Sequence, residues 1–259
     1  MEKYRALCEA LMEKNFKAVT IKEYLLASQN FESKVVIFRH DVDRNPRNAN
    51  NIGELEHNLG IHSTYYFRSI RNVLKPEIIR HLASLGHEVG FHYESLSRQK
   101  GDYERAIRSF EADLALLREF AEVKTICMHG NPLSRWDNRM LWDAYDFKQF
   151  DLIGEAYLSM DYSDLIYFTD TGRSWNAGKL NLRDHVSSES TYEVRSTEAL
   201  IRLIKSEDIR KICIQTHPER WNQLYARWIL SLLQDTFFNT IKLLLSLRHL
   251  PKSAQPRIG

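Results

Sequence analysis

Short apolar runs alternate with longer amphipathic segments along most of the chain. The runs are rich in β-branched and aromatic residues and end at charged residues or glycine, a pattern typical of buried strands. Five clear runs are residues 35–39, 63–68, 87–92, 123–130 and part of 209–221, and two weaker ones are 152–157 and 165–170. Segments with helical spacing are residues 1–14, 48–60, 75–86 and 102–120. Strands that alternate with helices in this way predict parallel β-α-β units.

The number of strands indicates the architecture. About seven strands in this alternation favour a barrel over an open sheet, although spacing alone leaves both possible. The 259 residues, 43% of them hydrophobic, suit a single α/β domain over residues 1–259. The apolar C-terminal segment, about 222–249, predicts a long helix that packs on the barrel. A homodimer contact or a weak membrane-surface contact is the alternative for this segment.

Charge and cysteine content narrow the class of protein. The formal net charge is only +2, so the sequence lacks the excess of basic residues that is typical of nucleic-acid-binding proteins. The three cysteines, Cys8, Cys127 and Cys213, lie far apart and fit a reducing compartment. The N-terminal residues have no apolar signal core, and no long uncharged apolar stretch is present. We therefore expect a cytoplasmic protein.

Ligand-type side chains stand where four of the predicted strands end. Asp41 and Asp43 close the first strand on one side of it, and His92, His129 and His217 end three others. Because the carboxyl ends of parallel strands converge on one mouth of a barrel, these side chains are expected to meet there. Two imidazoles and one carboxylate would hold a divalent metal, and the remaining acid and imidazole would be general base and general acid. The structural alternative is that acids such as Asp43 only cap the following helix.

Four short motifs carry a resemblance to a known family. The stretches "RHDVD", "GHEVGFHYES", "MHGNP" and "QTHPERW" resemble the polysaccharide deacetylase superfamily, the NodB-like enzymes of carbohydrate esterase family 4. They are most similar to its divergent branch associated with bacterial O-antigen and surface-polysaccharide biosynthesis. The resemblance covers about residues 31–221. It implies a distorted (β/α)7 barrel, a divalent metal with zinc as first choice, and hydrolysis of an N-acyl group on an amino sugar.

The resemblance also implies roles for individual residues. In the family pattern the first acid of the opening motif is the base and the second binds metal, which here are Asp41 and Asp43. The last motif supplies the histidine that protonates the leaving group, which maps to His217.

One position departs from the family pattern. The second motif usually carries two metal-binding histidines four residues apart; His92 matches the first, but Leu96 stands at the second. Our hypothesis is that His129 replaces the missing ligand, which gives a metal set of Asp43, His92 and His129.

Several further polar and aromatic residues are candidates for substrate contacts. Arg173 would fork onto a carboxylate or phosphate, Trp175 would stack on a pyranose, and Asp170, Asn131 and Glu94 are further candidates. The alternative for the Arg-Trp pair is that the indole is packed under the guanidinium.

Two other functions remain open from the sequence. The departure at Leu96 permits a catalytically inactive carbohydrate-binding relative, and an O-acyl esterase would use the same chemistry. The sequence does not choose between acetyl and formyl, or between an amino-sugar substrate carried by a nucleotide, a lipid or a polymer.

Overall fold

The computed structural model describes residues 1–130, 134–171, 175 and 192–221. Its α-helices are α1 Glu2–Glu13, α2 Ile21–Leu26, α3 Pro46–Asn58, α4 Pro76–Ser84, α5 Ser95–Arg98, α6 Tyr103–Arg118, α7 Leu141–Ala144 and α8 Thr197–Ser206. Its strands are β1 Lys17–Val19, β2 Val35–Val42, β3 Thr64–Phe67, β4 Glu88–Tyr93, β5 Thr125–Met128, β6 Gly154–Glu155, β7 Ile166–Thr169 and β8 Lys211–Thr216. Short 3-10 helices are Asn138–Met140, Phe147–Phe150 and Pro218–Arg220.

The strands form one parallel sheet with the order β6-β5-β4-β3-β2-β8-β7, and β1 pairs with β2 outside this path. The sheet curls into a half-barrel with helices packed on it, so the predicted α/β class is confirmed. The strand β1 and the helix α2 are additions to the predicted elements, because a three-residue strand and a six-residue helix are too short to show a period. The predicted C-terminal helix, about 222–249, lies outside the described residues.

The described helices include none that is long and apolar enough to span a membrane. The proposed membrane-surface contact depends on the segment after Trp221 and therefore stays a prediction.

Proline and glycine mark the two ends of helices α3 and α4. Pro46 and Pro76 occupy the first turns of α3 and α4, where a missing N–H costs nothing. Gly60 and Gly86 follow the same two helices with φ of +70° and +89°, a left-handed conformation that glycine adopts without a Cβ clash. These residues fix where the chain turns back into β3 and β4.

Alternate residues of β2 belong to two different hydrophobic cores. Val35 and Ile37 pack inside the curve of the sheet with Tyr24 and Cys213, whereas Val36 and Phe38 pack outside it against the helices. Successive side chains of a strand point to opposite faces, so the same alternation continues to the polar end of β2. It sends Arg39 and Asp41 inward and His40 outward.

The outward-facing His40 joins a buried polar network around Glu56 of α3. The His40 Nε2 atom lies 2.9 Å from Glu56 Oε1, and Tyr65 donates to Oε2 at 2.6 Å. Tyr4 of α1 donates to Oε1, and His40 Nδ1 lies 2.7 Å from the Thr216 hydroxyl. Burial would raise the pKa of Glu56, but His40 and the hydrogen bonds lower it. A buried, ionised carboxylate thus ties helices α1 and α3 to strands β2, β3 and β8.

We expect Glu56→Gln to lower the free energy of unfolding by about 3 kcal/mol at pH 7, because it removes the charge that His40 and the two tyrosines surround. The pKa of Glu56 is lower in the folded state, so its stabilisation is present above about pH 4.3 and is lost as the pH falls through the folded pKa. Denaturant titrations from pH 7 to pH 3 should show that the difference in unfolding free energy between the wild type and Glu56→Gln becomes smaller. Glu54→Gln, an exposed change on the same helix, is the control, and an equal loss in both variants would contradict the role of the network.

Candidate metal and catalytic site

The carboxyl ends of four parallel strands bring the predicted polar residues to one edge of the sheet. Asp41 is the second-last residue of β2, and Asp43 directly follows that strand. His92 is in β4, His129 follows β5, and His217 follows β8. The structure therefore places these five side chains in one cluster, as expected for parallel strands that share a mouth.

Three of these residues surround a point suited to a cation. The Asp43 Oδ1 atom lies 3.4 Å from His92 Nε2 and 3.5 Å from His129 Nε2. Among the described residues this buried oxygen has no hydrogen-bond partner. The ligand atoms of Asp43, His92 and His129, here called the outer set, all lie within 4.8 Å of one another. A buried carboxylate oxygen without a donor is costly unless a charge compensates it, so these residues fit a divalent metal.

The orientation of both imidazoles supports the same conclusion. His92 Nδ1 lies 3.0 Å from the carbonyl oxygen of Cys127, which can only accept, so Nδ1 carries the hydrogen and Nε2 is left as a ligand. His129 Nδ1 lies within ion-pair distance of Glu94 Oε2, at 3.3 Å, and its Nε2 atom is the one nearer to Asp43. A carbonyl or carboxylate behind the ligating imidazole is the usual support of a metal-binding histidine.

Glu94, a candidate for substrate binding by sequence, is held inside the site by Arg68. The guanidinium donates to both carboxylate oxygens at 2.7 and 2.8 Å and to the carbonyl oxygen of Asp43 at 3.3 Å. Burial would raise the pKa of Glu94, but His129 and Arg68 lower it to about 2. Glu94 is thus an ionised support for His129, a role that its position at the end of β4 alone does not reveal.

Leu96 is fully buried in the hydrophobic core outside the sheet. This residue stands where the family pattern has its second metal-binding histidine. His129 instead lies beside Asp43 and His92, which supports the hypothesis that it supplies the third ligand.

Asp41 is kept apart from the outer set by two neighbours that the sequence analysis did not identify. Arg39 donates to both carboxylate oxygens, at 2.9 Å to Oδ1 and 2.6 Å to Oδ2, and Gln215 donates to Oδ2 at 2.6 Å. Burial would raise the pKa of Asp41, but Arg39 and His92 lower it, so the carboxylate is ionised at neutral pH. The sequence contains a signal for both neighbours. Arg39 precedes Asp41 by two residues and Gln215 precedes His217 by two, and side chains two residues apart in a strand lie on the same face.

A second group of metal-ligand type shares one member with the outer set. The ligand atoms of Asp41, His92 and Cys127, here called the inner set, also lie within 4.8 Å of one another. An ion on Asp41 would face the Arg39 guanidinium. Two like unit charges 4 Å apart repel by about 4 kcal/mol at an effective dielectric constant of about 20, and a divalent ion doubles this repulsion. Among the described residues no such cation contacts the central carboxylate oxygen of the outer set, so the outer set suits a divalent ion better.

His217 is oriented by Asp170, which the sequence analysis placed among the substrate contacts. Asp170 Oδ1 lies 2.7 Å from His217 Nδ1, and Oδ2 accepts from the His217 backbone N–H at 3.1 Å. Arg220 and Trp221 donate to the same carboxylate. Burial and Arg220 would lower the pKa of His217, but Asp170 and Asp43 raise it above its ordinary value. The Nε2 atom of His217 faces the outer set, 4.0 Å from Asp43 Oδ2.

Of the remaining substrate candidates, Trp175 is the one that the described part of the chain includes. Trp175 is 5% exposed, its indole N–H donates to Thr197 at 3.2 Å, and its ring centroid lies 6.1 Å from that of Trp221. This placement favours the packing alternative over stacking on a sugar. Asn131 and Arg173 lie outside the described residues, so their roles stay predictions.

Comparisons with known proteins find similarity between this chain and solved structures only. No family model matches the chain, and no curated protein matches it. A family 4 carbohydrate esterase from Streptococcus mutans is 13% identical, with 89% of each chain covered and a TM-score of 0.47. A peptidoglycan deacetylase from Bacillus subtilis is 14% identical, with 82% of this chain and 96% of that chain covered and a TM-score of 0.40.

A family 4 pseudoenzyme from Bacillus anthracis is also similar. It is 10% identical and has a TM-score of 0.44; the alignment covers 82% of this chain but spans only 62% of the Bacillus anthracis protein. These similarities are too distant to assign an activity, which is therefore argued from the site itself.

We expect Asp43→Asn to weaken zinc binding by roughly 100-fold or more, because it removes the charge at the centre of the outer set. Asp41→Asn should weaken it by less than about tenfold, because Arg39 and Gln215 already engage that carboxylate. Calorimetric titration of metal-free protein and elemental analysis after gel filtration measure both variants. Loss of zinc from Asp41→Asn but not from Asp43→Asn would assign the ion to the inner set.

Proposed function

We propose that this protein is a metal-dependent hydrolase that removes an N-acyl group, acetyl or formyl, from an amino sugar. The observation that carries the proposal is the buried Asp43 Oδ1 atom, which has no hydrogen-bond partner in the described chain and is flanked by two imidazole Nε2 atoms. A candidate base, Asp41, lies beside His92, and the Nε2 atom of a candidate acid, His217, lies 4.0 Å from Asp43 Oδ2. This arrangement of three ligands with two proton-transfer groups suits hydrolysis of a carbonyl compound.

Zinc is the metal we propose for the outer set. Two imidazoles and one carboxylate are a common ligand set of catalytic zinc, which keeps a further position open. The bound metal supplies a Lewis acid that polarises the acyl carbonyl and makes water a stronger nucleophile.

Asp41 is proposed as the general base. Its carboxylate is ionised because Arg39 and Gln215 donate to it, and its Oδ2 atom lies 3.8 Å from His92 Nε2, beside the outer set. The same donors fix the orientation of the Asp41 carboxylate, so the side chain is pre-organised to accept a proton from the attacking water.

His217 is proposed as the general acid, and its support favours an amide substrate over an ester. An amine leaves as an anion only at great cost, so cleavage of an amide needs a proton at nitrogen, whereas an alcohol needs this help less. Asp170 stabilises the imidazolium form of His217, which raises the pKa of the imidazole. After donating its proton, His217 is still held by Asp170 in an orientation that keeps Nε2 toward the leaving group.

The biological setting we propose rests on the sequence resemblance. It is the cytoplasmic stage of O-antigen or capsular polysaccharide biosynthesis, with the amino sugar carried by a nucleotide, a lipid or a polymer. Arg173 remains a candidate for a phosphate or carboxylate of such a substrate.

The full-length protein, loaded with zinc, should be tested on N-acetyl and N-formyl amino sugars in free, nucleotide-linked, lipid-linked and polymeric form. Mass spectrometry of the freed amine measures turnover. We expect Asp41→Asn and His217→Asn to lower kcat/KM by about 10²–10⁴-fold, since each removes a proton-transfer group. His81→Asn, an exposed histidine change on α4, is the control. Binding without turnover would favour an inactive carbohydrate-binding protein, and turnover of O-acetyl analogues alone would favour an esterase.

Asp170→Asn should move the alkaline limb of the pH–rate profile to lower pH. His217 must be protonated to act as the acid, so activity falls as the pH rises through its pKa. Asp170 raises that pKa, so the variant loses the protonated form at a lower pH and turns over more slowly by about tenfold or more. Asp208→Asn, an exposed aspartate change, is the control. An unshifted limb would show that Asp170 does not tune His217.

A further inference from the structure

We propose that the inner set, Asp41, His92 and Cys127, is a second metal site that takes soft, thiophilic cations such as Cd²⁺ or Cu⁺. It shares His92 with the outer set, and its Asp41 precedes Asp43 by two residues at the end of β2. The inference concerns binding alone, so it does not depend on the proposed hydrolase activity.

The site is built from the ends of three strands, of which β4 and β5 are neighbours while β3 separates β4 from β2. His92 of β4 and Cys127 of β5 are direct partners across the parallel ladder, so both side chains stand on the inner face. Asp41 of β2 reaches the same point, with its Oδ2 atom 3.8 Å from His92 Nε2. All three residues are buried, at 2%, 2% and 0% exposure for Asp41, His92 and Cys127. A site without competing water at this depth holds a well-matched ion tightly.

The thiol decides which ions the inner set accepts. The Arg39 guanidinium repels a cation whose only anionic ligand is Asp41. The inner set therefore excludes hard ions, which have no affinity for the sulfur of Cys127. A thiophilic ion displaces the Cys127 proton to water as the sulfur–metal bond forms. The resulting thiolate adds a negative charge that offsets the repulsion from Arg39. The two sets therefore sort cations by softness.

Both sets need the same nitrogen of His92. Its Nδ1 atom is engaged with the Cys127 carbonyl oxygen, so Nε2 is the ligand atom in either case. An ion in the inner set consequently removes a ligand from the outer set and also occupies Asp41. Soft-metal binding is thus expected to expel zinc rather than to add a second ion beside it.

Titration of the full-length, metal-free protein with Cd²⁺ tests this site. Thiolate-to-cadmium charge transfer should produce an ultraviolet absorption band that grows with bound Cd²⁺. Cys127→Ser should abolish the band and weaken Cd²⁺ binding by about 100-fold, while zinc affinity changes less than about threefold. Cys213→Ser is the matched control, because Cys213 is a second fully buried thiol inside the same half-barrel and belongs to neither set. It should retain the band.

Two further measurements keep the test decisive if Cys127→Ser folds poorly. Cys127→Ala provides an apolar replacement, checked by far-ultraviolet circular dichroism. Zinc-loaded wild-type protein should release zinc, detected with a chromogenic chelator, as the cadmium band appears. The proposal is overturned by a wild-type protein without the band, by a band that survives both Cys127 changes, or by a band that only Cys213→Ser removes.

Discussion

The two-residue repeat of β2 is the constraint on which the rest of the site depends. The strand lies between β3 and β8, and its alternate side chains divide between the interior of the half-barrel and the layer of helices. Because this division is fixed by backbone geometry, Arg39 and Asp41 must share the interior while His40 turns to Glu56. One strand thereby supplies an ionised carboxylate at the mouth and one partner of the buried network that anchors the helices.

Asp41 and Asp43 show how environment separates two identical side chains. Asp41 receives three hydrogen bonds from Arg39 and Gln215, which hold it ionised and place a cation beside its carboxylate. Asp43 Oδ1 receives none among the described residues and faces two imidazole nitrogens instead. The buried cation of Arg39 therefore disfavours a divalent ion without affinity for sulfur at Asp41, whereas Asp43 carries no such penalty from Arg39.

The sequence predicts the parts of this molecule that depend on periodicity. Strand ends and their ligand-type residues follow from alternation, so the meeting of Asp43, His92 and His129 could be anticipated. For Asp41 and His217 the same alternation shows which residues share their strand face, but the residues that contact them from other strands depend on which strands are neighbours across the sheet. Gln215 meets Asp41 only because β8 lies beside β2, and Asp170 meets His217 only because β7 lies beside β8. Trp175 illustrates the same limit, since an indole near an arginine suits a sugar or a core equally well until its burial is known.

The pairing of β2 with β8 also sets the order in which the site can form. The hydrogen bond between Asp41 and Gln215 joins residues 174 positions apart, and His217 follows the same late strand. A chain emerging from the ribosome therefore presents Asp41 and Asp43 long before Gln215 and His217 have been synthesised. Closing so distant a contact is slow and comes late in folding. The metal ligands on β2, β4 and β5 can thus assemble before the candidate base is fixed and the candidate acid is in place, so a chain that lacks β8 presents a metal set without its proton-transfer groups.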